Sequence, residues 1–159
     1  MTIIDAQVHI WKAETPDRPH IREDASIPHR PIPLTCDSLH EEMNTAGVDR
    51  VILVPPSWEG YRNDYALEAA RKYPDRFAVM GKVPLNDPAS KDKLATWLKQ
   101  PGMFGFRISF RHSGTHSILD DGTADWRMVP LPVLKWLWGS ALGSSLSIDL
   151  FFNNRAFAR

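Results

Sequence analysis

Cysteine is almost missing from these 159 residues: Cys36 stands alone, so no internal disulfide can form and no zinc knuckle of several thiolates can be built. A reducing compartment suits such a chain. The opening residues lack the basic and then apolar segments of a secretory signal, because Asp5, Gln7 and His9 interrupt them, and a cytoplasmic location is expected. Net charge is missing too. With 19 Lys and Arg against 19 Asp and Glu and a pI near 7.0, there is no basic footprint for nucleic acid and none for an anionic membrane surface. The run from Trp136 to Ile148 is shorter than the about 20 apolar residues a membrane span requires, and it is rich in Gly and Ser. Neither nucleic acid nor membrane is therefore expected as a partner. No glycine-rich phosphate loop follows any apolar run, which leaves the dinucleotide-binding reading without its signature. The length allows one domain with a sizeable core, but not a complete (β/α)₈ barrel of about 250 residues.

What is present starts with Ile3-Ile4-Asp5-Ala6-Gln7-Val8-His9-Ile10-Trp11. Ile4, Ala6, Val8 and Ile10 alternate with Asp5, Gln7, His9 and Trp11, a period of two that reads as a strand with one apolar and one chemistry-bearing face. Residues 12–34 carry five prolines among charged residues and no periodicity, so they form a long loop that holds His20 and His29. Ser38-Leu39-His40-Glu41 matches a capping box, which predicts a helix with Leu39, Met43 and Ala46 facing inward and Gly47 as its left-handed stop. Val48 to Val54 is an apolar run of the kind buried on both faces of a parallel sheet, ended by Pro55-Pro56. Asn63 or Asp64 caps a second helix bearing Ala66, Leu67, Ala69, Ala70 and Tyr73. Phe77 to Val83 is a third strand. Asp87-Pro88 opens a third helix with Leu94, Trp97 and Leu98 inward, and Gly102 ends it. Met103 to Phe110 is a fourth strand in which Arg107 interrupts the apolar run; an unpaired buried guanidinium is costly, so Arg107 calls for an anion, with Asp5 as the internal candidate. Strand and helix alternate throughout, which predicts an α/β architecture with a parallel sheet and right-handed crossovers.

Asp-Ala-Gln-Val-His-Ile-Trp in the first strand, the buried strand ending in Pro-Pro-Ser, Gly-Lys-Val-Pro-Leu after the third strand and Gly-Phe-Arg-Ile-Ser-Phe in the fourth resemble, in this order, the amidohydrolase superfamily. Within it the likeness is to the amidohydrolase-2 branch, which includes pyrone-dicarboxylate lactonases and some decarboxylases. The resemblance covers residues 3 to about 126. It implies parallel (β/α) units forming roughly half of a TIM-like barrel, and a hydrolase acting on a carboxylate-bearing lactone or a similar ester, C–N or C–C bond. It also implies site residues. His9 and Asp5 would be catalytic, His9 polarising the scissile carbonyl or orienting water and Asp5 orienting His9. Gln7, Arg107, Arg111, Ser57, Asn63 and Asp64 would contact substrate, with Arg107 and Arg111 clamping its carboxylate. In the family the first strand ends in His-x-His, which holds a divalent metal. Here Gln7 occupies the first of those positions, and a neutral amide oxygen is a weak zinc ligand. The cofactor expectation is therefore either none or a zinc ion on His9. His112 and His116, separated by Gly114, read as loop residues.

The sequence changes style near Trp126. Pro130 and Pro132 interrupt the helix due there, and residues 127–159 carry only Arg127, Lys135, Asp149, Arg155 and Arg159 as charged residues. Residues 1–126 are thus expected to form the partial barrel and 127–159 an irregular tail produced by a frameshift or truncation. A catalytically inactive fragment that keeps a ligand-binding half barrel is the alternative to the hydrolase. Either version leaves sheet edges open, which predicts a homo-oligomer.

Overall fold

The computed structural model describes residues 1–22, 27–84, 87–109 and 147–151. Four parallel strands lie side by side in chain order: β1 (Ile4–Val8), β2 (Arg50–Leu53), β3 (Phe77–Lys82) and β4 (Met103–Ser109). The helices α1 (Cys36–Ala46), α2 (Asp64–Lys72) and α3 (Ser90–Ala95) occupy the connections. A fifth strand, β5 (Ser147–Phe151), falls within the stretch read as an irregular tail and pairs antiparallel with β4, bringing Asp149 opposite Arg107 in the register. It takes the edge at which a further parallel strand of a barrel would add.

The buried runs of β2 to β4 sort by the strand pleat onto two faces. Val51, Leu53, Phe77, Val79, Met103 and Phe106 pack toward the helices, with Leu39, Met43, Ala69, Ala70 and Trp97. Ile52, Val54, Met80 and the half-buried Phe104 form a separate cluster on the other, inner face. A register shift in β4 decides where its charge goes. Val79 pairs with Met103 but Met80 pairs with Gly105, so Phe104 is an extra residue, and from there on Gly81 faces Phe106 and Lys82 faces Arg107. Because alternation has a period of two, one inserted residue exchanges the faces. Without it, Arg107 would fall on the helix side; with it, Arg107 shares the inner face with Lys82.

Several local expectations are corrected. The N-cap of α1 is Thr35, whose side chain accepts from the Ser38 amide at 3.1 Å, so Ser38 lies inside the first turn rather than capping it. Cys36 joins Leu39 and Met43 on the buried stripe while Ala46 is exposed. Gly47 does end the helix at φ 71°. β2 begins at Arg50 rather than Val48. Asp87 does not cap a helix at Pro88: its carboxylate accepts from the Ala89 amide at 2.9 Å in a turn, and α3 runs only from Ser90 to Ala95. Beyond it a 3₁₀ turn, Trp97–Lys99, buries Trp97, whose indole N–H donates to the Gly105 carbonyl at 2.9 Å, and leaves Leu98 exposed. β1 lacks the two contrasting faces its alternation suggested, because as an edge strand it is exposed from Ile4 to Gln7; Ile10 and Trp11 beyond it are buried.

Gly81 shows how tightly β3 is held. A Cβ there would stand 2.7 Å from the Trp97 ring and 2.9 Å from the Met103 methyl group. Gly81→Ala is expected to lower stability by about 1–3 kcal/mol through overpacking, read as a lower urea midpoint at unchanged slope.

Candidate functional site

The inner face of the sheet, where the parallel strands end, collects Gln7, His9, Lys82 and Arg107. Arg107 Nη2 donates to Gln7 Oε1 at 2.7 Å, joining the fourth strand to the first across 100 residues of sequence. The guanidinium thus donates to the Gln7 amide, whereas the Asp5 carboxylate accepts from the Gln7 backbone amide. His9 follows β1 directly. Its Nδ1 lies 2.7 Å from the Val54 carbonyl, which can only accept, so Nδ1 carries the proton and Nε2 keeps its lone pair in the neutral ring. Burial, and then Arg107, His29 and Lys82, push the His9 pKa below its usual value, although the Val54 carbonyl opposes them. The depression favours the neutral ring.

Lys82, part of the Gly-Lys-Val-Pro-Leu stretch at the end of the third strand, is added to the site by the structure. Desolvation and the neighbouring Arg107 push its pKa down to about 8. Among the described residues no carboxylate pairs with its Nζ. Its backbone is clamped by Asn63, whose Oδ1 accepts from the Lys82 amide at 2.7 Å and whose Nδ2 donates to the Lys82 carbonyl at 2.9 Å. The signal was available, since Lys82 interrupts an apolar strand as Arg107 does.

The remaining sequence-derived candidates are placed elsewhere. Asp5 is exposed and accepts from the Gln7 amide at 3.1 Å; the Val54 carbonyl, not Asp5, orients His9. Asn63 forms no side-chain cap on α2 because its amide is engaged with Lys82. Ser57 opens a 3₁₀ turn, Ser57–Glu59. Asp64 receives both terminal nitrogens of Arg18 at 2.7 and 2.9 Å. Arg111 lies outside the described residues.

Arg18 anchors the long first loop to the second. It also binds Glu59, which is only 2% exposed and is supported by Arg62 Nε at 3.1 Å. The Ile21 amide donates to the Trp58 carbonyl at 2.8 Å, and Arg62 donates to the Pro19 carbonyl at 2.7 Å. So strapped, the loop meets a group of rings beside His9. Trp58 packs edge-on to His9 at 6.3 Å and to Trp11 at 5.4 Å, and His29 lies 5.1 Å from Trp11. The Trp58 indole N–H is buried without an acceptor among the described residues, a donor left for a ligand.

A divalent cation does not fit this set. Among the described residues no three His, Cys, Asp or Glu side chains gather. Gln7 Oε1 is taken by Arg107, and the charges of Arg107 and Lys82 both act on the His9 ring. The electrostatics favour an anion.

The fold and site together define a class: part of a parallel (β/α) barrel whose functional groups stand at the carboxyl ends of its strands. Comparison with known proteins narrows this. The amidohydrolase family model matches residues 4–131, and the chain belongs to that family. Among solved structures it is similar to a probable 2-pyrone-4,6-dicarboxylic acid hydrolase from Acinetobacter baumannii with citric acid bound. That match has 23% identity and a TM-score of 0.55, and covers 76% of this chain and 45% of that one, so the chain spans less than half its length. At this identity the likeness speaks for the fold. No curated protein matches. No helix among the described residues is long and apolar enough to cross a membrane.

Two outcomes follow from the Arg18 cluster. Arg18→Met leaves the buried Glu59 to Arg62 alone and is expected to cost about 3 kcal/mol, seen as a lower denaturation midpoint. Arg18, and secondarily the Tyr65 amide, hold the Asp64 carboxyl down at about 2 against an ordinary 3.8. Its contribution is complete above pH 3.8 and is lost as pH falls through 2, so Asp64→Asn should flatten the stability profile in that window.

Proposed function

We propose that the chain carries the substrate-binding half of a hydrolase that opens a carboxylate-bearing lactone or similar ester. The Arg107–Gln7 pairing at the cationic end of the sheet carries this reading. The guanidinium donates to a neutral amide here, and a substrate carboxylate in the place of that amide would make charge-assisted, bidentate bonds. The released Gln7 amide then has its own hydrogen bonds to offer the substrate.

His9 supplies the base. Its Nε2 lone pair accepts a proton from water as that water attacks the ester carbonyl, and the imidazolium later returns the proton to the leaving oxygen. The Val54 carbonyl keeps the ring in the required tautomer. Lys82 adds positive charge where the tetrahedral oxyanion develops. None of these steps calls for a metal ion. Trp11 and Trp58 exclude water from one side.

A second reading, a ligand-binding half barrel without turnover, is favoured by one observation: β5 takes the growing edge of the sheet in the antiparallel sense. Both readings share the anion site, and one experiment separates them. Carboxylate binding accompanied by lactone hydrolysis supports the enzyme; binding without hydrolysis by the 159-residue chain supports the second reading.

Arg107→Gln is expected to weaken binding of a carboxylate-bearing lactone by about 10–100-fold, in line with loss of a charge-assisted pair, and to leave a neutral lactone unaffected. Unchanged affinity of the variant for the carboxylate-bearing lactone would remove the anion-clamp role. If turnover is found, the acid limb of kcat/KM should lie below pH 6.5, because the His9 pKa is depressed and the base is already neutral above it; a limb above 6.5 would contradict His9 as the base.

A further inference from the structure

We propose that Lys82 is a nucleophilic lysine that condenses with a 2-oxo carboxylate, whose carboxylate Arg107 holds beside it. The proposal rests on Arg107 being the anion anchor argued above. Its own basis is the placement of Lys82. Register makes Lys82 and Arg107 direct neighbours on adjacent strands, with both side chains on the inner face after the β4 shift. Strands are about 4.8 Å apart, so the two side chains serve functional groups carried on adjacent atoms. A 2-oxo acid has that form, its carbonyl carbon being bonded directly to the carboxylate.

Nucleophilic lysines are made by withholding a carboxylate partner and adding desolvation or a second cation. All three conditions hold here. Among the described residues no carboxylate pairs with Nζ, the side chain is half-buried, and Arg107 is the charge acting on it. Among the described residues the other titratable groups of the surroundings are His9 beyond β1, His29 in the first loop and, by backbone register on β5, Asp149 opposite Arg107. With its pKa pushed down to about 8, a useful fraction of Lys82 is free amine near neutral pH. Asn63 fixes both backbone groups of the residue, so the stem starts from a set position.

The chemistry balances without an added oxidant or reductant. The Nζ lone pair attacks the carbonyl carbon and the C=O electron pair moves to oxygen. A proton passes from nitrogen to that oxygen, giving a carbinolamine. Loss of the hydroxyl group as water leaves the imine, and neutral His9 is the nearby base for these proton transfers.

The full chain is incubated with pyruvate and sodium borohydride, which reduces the imine to a stable secondary amine, and labelled lysines are located by peptide mass spectrometry. Formaldehyde with borohydride, a carbonyl reagent with no carboxylate, is run in parallel. Pyruvate should label Lys82 at least tenfold above the other lysines. Arg107→Gln should remove that preference while formaldehyde still favours Lys82, with labelling rising as pH passes through 8. Lys82→Arg should abolish the labelled peptide. If neither reagent favours Lys82 in the wild type, the nucleophile is overturned whatever Arg107 does. If formaldehyde favours Lys82 and pyruvate does not, condensation with an oxo acid is overturned and the failure lies in the anion anchor.

Discussion

The hydrogen bond from Arg107 to Gln7 constrains everything at the functional end of the sheet. Two strands lie between its partners, and in a flat sheet β1 and β4 would stand about 14 Å apart. Side chains rise roughly perpendicular to a sheet, so a 2.7 Å contact between them requires the sheet to curl toward that face. The curl brings His9 and Lys82 under the influence of the same guanidinium. Among the described residues the inner apolar cluster is small, comprising Ile52, Val54, Met80 and Phe104, while the helix side holds a continuous core.

Curling brings like charges together. Burial, and then Arg107, depress the pKa values of both Lys82 and His9, and neighbours with no chemistry of their own hold the arrangement in place. Asn63 gives up capping α2 in order to hold Lys82 by both backbone groups. Gly81 admits Trp97 and Met103 against the strand, and Trp97 in turn bonds the Gly105 carbonyl beside the register shift. The result is a set of cationic and neutral donors standing ready for a ligand that brings negative charge. Among the described residues the same set offers no cluster of His, Cys, Asp or Glu to a divalent ion.

Much of the frame was legible because it rests on local signals. Continuous apolar runs marked β2 and β3, and Gly47 ended α1 as its position after Ala46 suggested. The charge in β4 drew attention to Arg107, and the alternation in β1 drew attention to Gln7 and His9. What stayed hidden depends on contacts between distant residues. Nothing around Phe104 reveals that it is the extra residue of a register shift, since that depends on what β3 places opposite. Lys82 was passed over for the same reason, as its meaning comes from the Arg107 beside it. Arg18 and Glu59 are 41 residues apart and read separately as loop charges. Thr35 is hard to read as the cap because Ser38 and Glu41 offer a capping box one turn later, whereas in the fold Thr35 accepts from the Ser38 amide.

The central claim is that the carboxyl end of this sheet is an anion site built on Arg107 and Gln7. It is tested most directly by nitrogen-15 NMR of the Arg107 and His9 side chains in the 159-residue chain, titrated separately with citrate and with zinc. The account predicts that citrate shifts the Arg107 guanidinium and Gln7 amide resonances saturably, and that zinc leaves the His9 ring nitrogens unmoved. Zinc bound tightly at His9, with no response of Arg107 to citrate, would contradict it.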